Sequence, residues 1–147
     1  MKHKPNNYIA LEFLSRSSNE AFARTAVAAF ASQLDPTLEE IGDIKTAVSE
    51  AVTNAIVHGY PDSLGKITVR ACIYDGNVLE ITVHDWGRGI ADVAQAREPL
   101  YTTGGEERSG MGFTIMESFM DRLVVRSKIG KGTVVLMKRK IAQRNAY

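Results

Sequence analysis

Glu50, Asn54 and His58 stand four residues apart in the stretch SEAVTNAIVHGY, among Ala, Val and Ile. On a helix that spacing stacks the three polar groups in one line. A carboxylate, an amide and an imidazole lined up among apolar neighbours either bond within the protein or look into a pocket. Three further clusters sit at the ends of expected elements: Asp85-Trp86-Gly87-Arg88-Gly89, Gly110-Met111-Gly112 and Gly130-Lys131-Gly132-Thr133. Their glycines allow close backbone approach to a ligand. Each alone has a plain structural account, Asp85 as a turn cap and Gly130/Gly132 as a hairpin loop.

The two common phosphate cradles are excluded. Gly65-Lys66 is followed by Ile67 and lacks the earlier glycine of a P-loop, and neither GxG has the third glycine of a dinucleotide fingerprint.

These groups need elements to hold them. Alternating Ile9, Leu11 and Phe13 suggest a strand over 9–14. Ser17 with Glu20 reads as a capping box opening a helix to about Leu34, its apolar face formed by Phe22, Ala26, Ala29, Phe30 and Gln33. Thr37 with Glu40 repeats the box for a second helix, expected to run to His58 and stop at Gly59, with Ile41, Ile44, Val48, Ala51, Val52 and Ala55 inward. Residues 66–74 and 79–83 alternate around Asp75-Gly76, a hairpin. A long loop reaches Gly110, a short helix covers 112–120, and a hairpin turning at Gly130/Gly132 ends the pattern. The predicted fold is α+β: a two-layer sandwich with helices on one face of a mixed, mostly antiparallel sheet. One domain spans 1–147, with 1–7 and 141–147 expected as loose tails.

The totals agree. A chain of 147 residues with 44% hydrophobic and 24% charged residues suits one globular domain. A net charge of +1 gives no bulk attraction to nucleic acid or an anionic membrane. The single cysteine, Cys72, excludes an internal disulfide and any CxxC site. No apolar run is long enough for a bilayer, and no signal-peptide core follows MKHKPNNY. The expectation is a cytoplasmic protein with no membrane or direct nucleic-acid partner.

Taken in order, ExxxN on a helix, DxGxG after a strand, GxG opening a helix and GT starting a strand resemble the GHKL ATPase/kinase superfamily, whose sandwich is the Bergerat fold. SSNEAFAR, SEAVTNAIVHGY, PLYTT and ERSGMGFTIME resemble its small branch of anti-sigma serine kinases from spore-forming bacteria, from about Ile9 to Lys140. The resemblance implies ATP/ADP and Mg²⁺ as cofactors. Glu50 would be the general base for an attacking serine hydroxyl. Asn54 would give one oxygen to Mg²⁺, which prefers few protein ligands plus phosphate and water. Asp85 would accept from the adenine amine, because an ionised carboxylate can only accept. Gly87 and Gly89 would let the strand exit pass against the base, and Thr133 would support it directly or through water. Gly110, Met111 and Gly112, with Ser109, would present a helix start to the phosphates. Thr103, with Thr102, Gly104 and Gly105, would belong to a lid closing over nucleotide. Arg108 is either a phosphate or transition-state contact or a solvated arginine. His58 is expected only to meet helix-end carbonyls.

Arg24 forms an i,i+4 pair with Glu20, and by the resemblance it is a docking contact for protein partners. Those partners are a sporulation sigma factor (sigma F expected), an anti-anti-sigma factor phosphorylated on serine, and a second copy of the chain. A general-stress anti-sigma kinase and a sigma-binding module that uses ATP only as a clamp are the alternatives.

Overall fold

The computed structural model describes residues 4–98 and 111–143. Five strands form one sheet in the order β1-β2-β3-β5-β4: β1 Asn7–Leu14, β2 Lys66–Tyr74, β3 Val78–Asp85, β4 Arg122–Lys128 and β5 Gly132–Lys140. Every pairing is antiparallel, so the described sheet has no parallel pair of the kind a mixed sheet requires. Helices α1 (Ser18–Ala31), α2 (Leu38–Asn54) and α4 (Gly112–Phe119) pack on it, and a short α3 (Val93–Ala96) lies inside the stretch expected to be loop. The expected two-layer α+β sandwich is the observed fold.

Helix α2 begins as its sequence dictates. The Glu40 N–H donates to Thr37 Oγ1 at 3.0 Å, and the Glu40 carboxylate accepts from the Thr37 N–H at 2.8 Å, so two orphan donors are satisfied reciprocally. Ile44, Ala47, Val48, Ala51 and Val52 are buried, largely as expected. Helix α1 departs from expectation at both levels. Ser17 is itself helical (φ −59°, ψ −29°) and its hydroxyl caps nothing. A side-chain cap needs an extended residue there. Glu20 is instead drawn to α2, where its carboxylate accepts from Ser49 Oγ at 2.8 Å. The buried face is Ala23, Val27, Phe30 and Ala31, and Phe22 is 59% exposed.

The β2–β3 hairpin closes through Asp75-Gly76-Asn77, with positive φ at Gly76 and Asn77. Alternation in the strands sends Ile67, Val69, Ala71 and Ile73 with Leu79, Ile81 and Val83 into the core. The ends are more ordered than expected. Asn7 belongs to β1, while Ile141 is fully buried and its N–H donates to Asn77 O at 2.9 Å. These two residues lie in the fold and not in loose tails.

Candidate functional site

Helix α2 delivers the acid and the amide together. A β-carbon on Gly112, the first residue of α4, would lie 3.0 Å from Asn54 Nδ2, 3.2 Å from Asn54 Oδ1 and 3.3 Å from Glu50 Oε1. Both side chains therefore converge on one point at the amino end of α4, and the missing side chain of Gly112 makes room for them. Donors and the helix dipole make such an end favourable to anions. Met111 stands just before it, half-buried.

After Asn54 the α-helical pattern stops. Residues Ala55–Gly59 form a π-helical turn, a rare form that occurs at functional sites. His58 lies in this turn. Its backbone carbonyl accepts from Arg88 Nε at 2.9 Å. The turn brings Gly59 onto Asp85: a β-carbon on Gly59 would lie 2.9 Å from both Cγ and Oδ1 of that carboxyl. Gly59 O accepts from Arg88 N at 3.0 Å, and a β-carbon on Gly87 would overlap that same oxygen at 2.0 Å. Gly132 presses equally on the Asp85 carbonyl, and Gly89 (φ 78°) on that of Lys128. Gly87 and Gly132 are thus backbone-packing positions beside Asp85, whereas Gly89 packs on Lys128 and a β-carbon on Gly130 would meet none of the described residues within 4 Å.

Asp85 is 4% exposed at the end of β3. Its Oδ1 accepts from the Gly87 N–H at 2.9 Å. Burial pushes its carboxyl up to about 6, while the backbone N–H groups of Gly87 and Thr133 pull it down. At neutral pH it is a buried, ionised acceptor held by backbone N–H groups. Thr133 is its cross-strand neighbour and is also buried. Tyr60 holds the strand exit: its hydroxyl donates to Lys66 O at 2.6 Å and accepts from the Trp86 N–H at 2.7 Å. Outside, the Trp86 ring stacks on His84 at 3.8 Å, with Lys66 Nζ 4.4 Å from its centroid. Burial and the nearby Lys66 charge both hold the His84 pKa down.

The structure thus joins Glu50, Asn54 and Gly112 at one locus, and Asp85, Gly87, Gly89 and Thr133 at another, with the π-turn between them. Thr103, Arg108, Ser109 and Gly110 lie outside the described residues. Sequence reasoning passed over Gly59, read only as a helix stop, and also Tyr60 and Ser127, whose Oγ lies 2.7 Å from Thr133 Oγ1. No pattern marks a lone hydroxyl in a turn or strand, although a Gly-Tyr pair directly after the polar line was a usable signal. Among the described residues no cluster of three or more His, Cys, Asp or Glu could hold a metal ion. The Asn54 amide oxygen beside a carboxylate is the hard-oxygen environment that suits Mg²⁺ shared with phosphate.

Arg24 lies on α1, half-buried, with its Nε 3.5 Å from the Glu20 carboxylate that Ser49 anchors. No helix among the described residues is long and apolar enough to cross a membrane.

Residues 14–139 match the histidine kinase-like ATPase domain family. An anti-sigma F factor from Caldanaerobacter subterraneus is 60% identical over 139 residues, covering 94% of this chain and 96% of that protein. One from Geobacillus kaustophilus is 56% identical over 142 residues, covering 95% and 97%. Among solved structures, the RsbU and RsbW domains of a Mycobacterium tuberculosis protein superpose with a TM-score of 0.70 at 19% identity, over 95% of this chain and 33% of that one. The histidine kinase domain of a blue-light activated kinase from Erythrobacter litoralis gives 0.57 at 24% identity, over 83% and 60%. At those identities the structures speak for the fold alone.

Proposed function

The chain belongs to the anti-sigma F factors, a branch of the histidine kinase-like ATPase family, and from that premise we propose that it is an ATP- and Mg²⁺-dependent protein-serine kinase. The observation that carries the reading is the meeting of Glu50 and Asn54 at Gly112, an acid and an amide at a helix start. Phosphoryl transfer asks a protein chiefly for positioning and charge stabilisation. Glu50 takes the proton from a serine hydroxyl of the protein substrate as its oxygen bonds to the γ-phosphorus and the bond to ADP breaks. Asn54 would hold Mg²⁺ through its amide oxygen, and the ion would supply positive charge against the phosphates. The α4 amino end receives phosphate oxygens, and the buried Asp85 carboxylate accepts from the adenine amine. Guanine presents a carbonyl at that position and is rejected. Gly110, Ser109, Thr103 and Arg108 belong to the same nucleotide site in this reading.

The partners follow from the family. The chain is an anti-sigma factor, and a sporulation sigma factor is its proposed target. An anti-anti-sigma factor is the proposed serine substrate, and the working unit is a homodimer in the cytoplasm. Arg24 is the proposed docking contact on α1. Its ion-pair partner Glu20 is bonded to Ser49, the residue before Glu50, so docking face and base share one anchor.

Incubation with γ-labelled ATP and a candidate anti-anti-sigma protein tests the reading. Acid-stable label on serine is expected. Glu50→Ala retains ATP binding and loses transfer, whereas Asn54→Ala loses Mg²⁺-ATP binding. Tight ATP binding with no transfer by the unaltered protein would leave only the clamp.

A further inference from the structure

Helix α4 is tied to α2 at both of its ends. At its start, a β-carbon on Gly112 would lie 3.0–3.3 Å from the polar atoms of Asn54 and Glu50. At its close, the link runs through Arg139 of β5. Arg139 is opposite the buried Leu79 in the sheet register and so faces the helices. Its Nη1 donates to Phe119 O, in the last turn of α4, at 2.7 Å and to Asp43 Oδ2 of α2 at 2.9 Å. Both side chains of that ion pair are mostly buried, where such bonds are stronger than in water.

The two ties agree in spacing. Asp43 precedes Glu50 by seven residues on α2, and Phe119 follows Gly112 by seven on α4. Seven residues advance an α-helix by about 10.5 Å and return to nearly the same face. Asn54, eleven residues after Asp43, comes back to that face as well. The two helices therefore run antiparallel, with Asp43, Glu50 and Asn54 in one stripe along α2.

Apolar packing alone does not fix this register. Phe113 and Met116 are the buried residues of α4, and apolar burial is non-directional. An axial slide of about 1.5 Å, the rise of one residue, would carry the N–H groups at the start of α4 out of hydrogen-bond reach of a group held by Glu50 and Asn54. The bonds from Arg139 are directional and oppose the slide. They also satisfy an orphan carbonyl, and the positive charge suits the carboxyl end of a helix.

We propose that Arg139 is a positioning residue for the phosphate end of the nucleotide site. With Asp43 it sets the register of α4 on α2, so that the helix start stands at Glu50 and Asn54. The Asp85 locus is built from Gly59, Gly87 and Thr133 and does not use it. This deepens the ATP reading above and rests on it.

The test compares ATP with adenosine, which lacks the phosphates, by titrating the full chain in the presence of Mg²⁺ beside a thermal melt. The unaltered protein is expected to prefer ATP. Arg139→Ala lowers that preference by about 10-fold, the worth of one hydrogen bond to a charged group, and leaves adenosine affinity unchanged. Arg139→Lys keeps the preference, because both bonds leave one nitrogen and an ammonium has three donors. If the alanine variant does not fold, Asp43→Ala, which frees Arg139 from α2, makes the same comparison. Equal weakening of both ligands, with the preference intact, would assign Arg139 to general stability and overturn the inference, as would no change in either. An unaltered chain that binds adenosine as tightly as ATP overturns the phosphate reading and this one with it.

Discussion

Replacing Gly59 by alanine isolates the proposed adenine contact from the stability of the fold. The backbone at Gly59 does not have positive φ, so alanine meets no conformational penalty there. Its β-carbon would stand 2.9 Å from Cγ and Oδ1 of Asp85, where comfortable contacts begin at about 3.5 Å. The carboxylate must move by about half an ångström or more. That shift breaks the 2.9 Å bond from Gly87 N and misdirects the oxygen proposed to meet the base. Hydrogen bonds to charged groups contribute about 1.5–3 kcal/mol. Loss of one at the adenine amine weakens ATP by about 10- to 150-fold. Titration calorimetry at pH 8, well above the Asp85 pKa, gives the number, and a thermal melt run in parallel shows whether the fold is kept. ATP binding as in the unaltered protein, by a chain with alanine at this position and a normal melt, would refute the reasoning. The carboxylate would then be free to yield, or would not hold the base.

Three other perturbations report on different links. Asp85 titrates at about 6 in the folded chain against an ordinary 3.8, so its burial cost is absent below pH 4, grows between, and is full above 6, at about 3 kcal/mol. Asp85→Asn should therefore raise the denaturation midpoint at pH 7.5 more than at pH 4.5. ATP affinity, taken relative to Asp85→Asn, should fall about tenfold per pH unit below 6. Thr37→Ala should cost about 1 kcal/mol in urea denaturation, while Ser17→Ala, which removes no side-chain cap, should stay within about 0.5 kcal/mol. Ile141→Ala should cost about 2–5 kcal/mol as a fully buried side chain; a change near zero would restore the loose tail.

What the sequence made legible was what local rules control. The Thr37/Glu40 box, the hairpin around Gly76 and the helix opening at Gly112 all depend on residues within a few positions of one another. The face of α1 does not. Ala26, Ala28 and Ala29 make its two sides nearly equally apolar, so an aromatic at Phe22 outweighed the quieter Ala23, Val27, Phe30 series that the sheet selects. Ser17 failed for a related reason: Ser49, on another helix, offered Glu20 a better bond than the cap did. At the site, Asp85 and Asn54 were recognisable as chemistry-bearing residues, but their supports were not. The contact of Gly59 with Asp85 and that of Ser127 with Thr133 exist only once strands and helices are assembled.

The wide turn at Ala55–Gly59 has a mechanical corollary. It is the only covalent bridge of a few residues between the amide that faces α4 and the glycine that seats Asp85. Its length therefore gauges how far apart these two loci stand. Deleting one residue from it, which would restore ordinary α-helical winding, would leave each locus chemically complete and change the span that the proposed nucleotide has to cross.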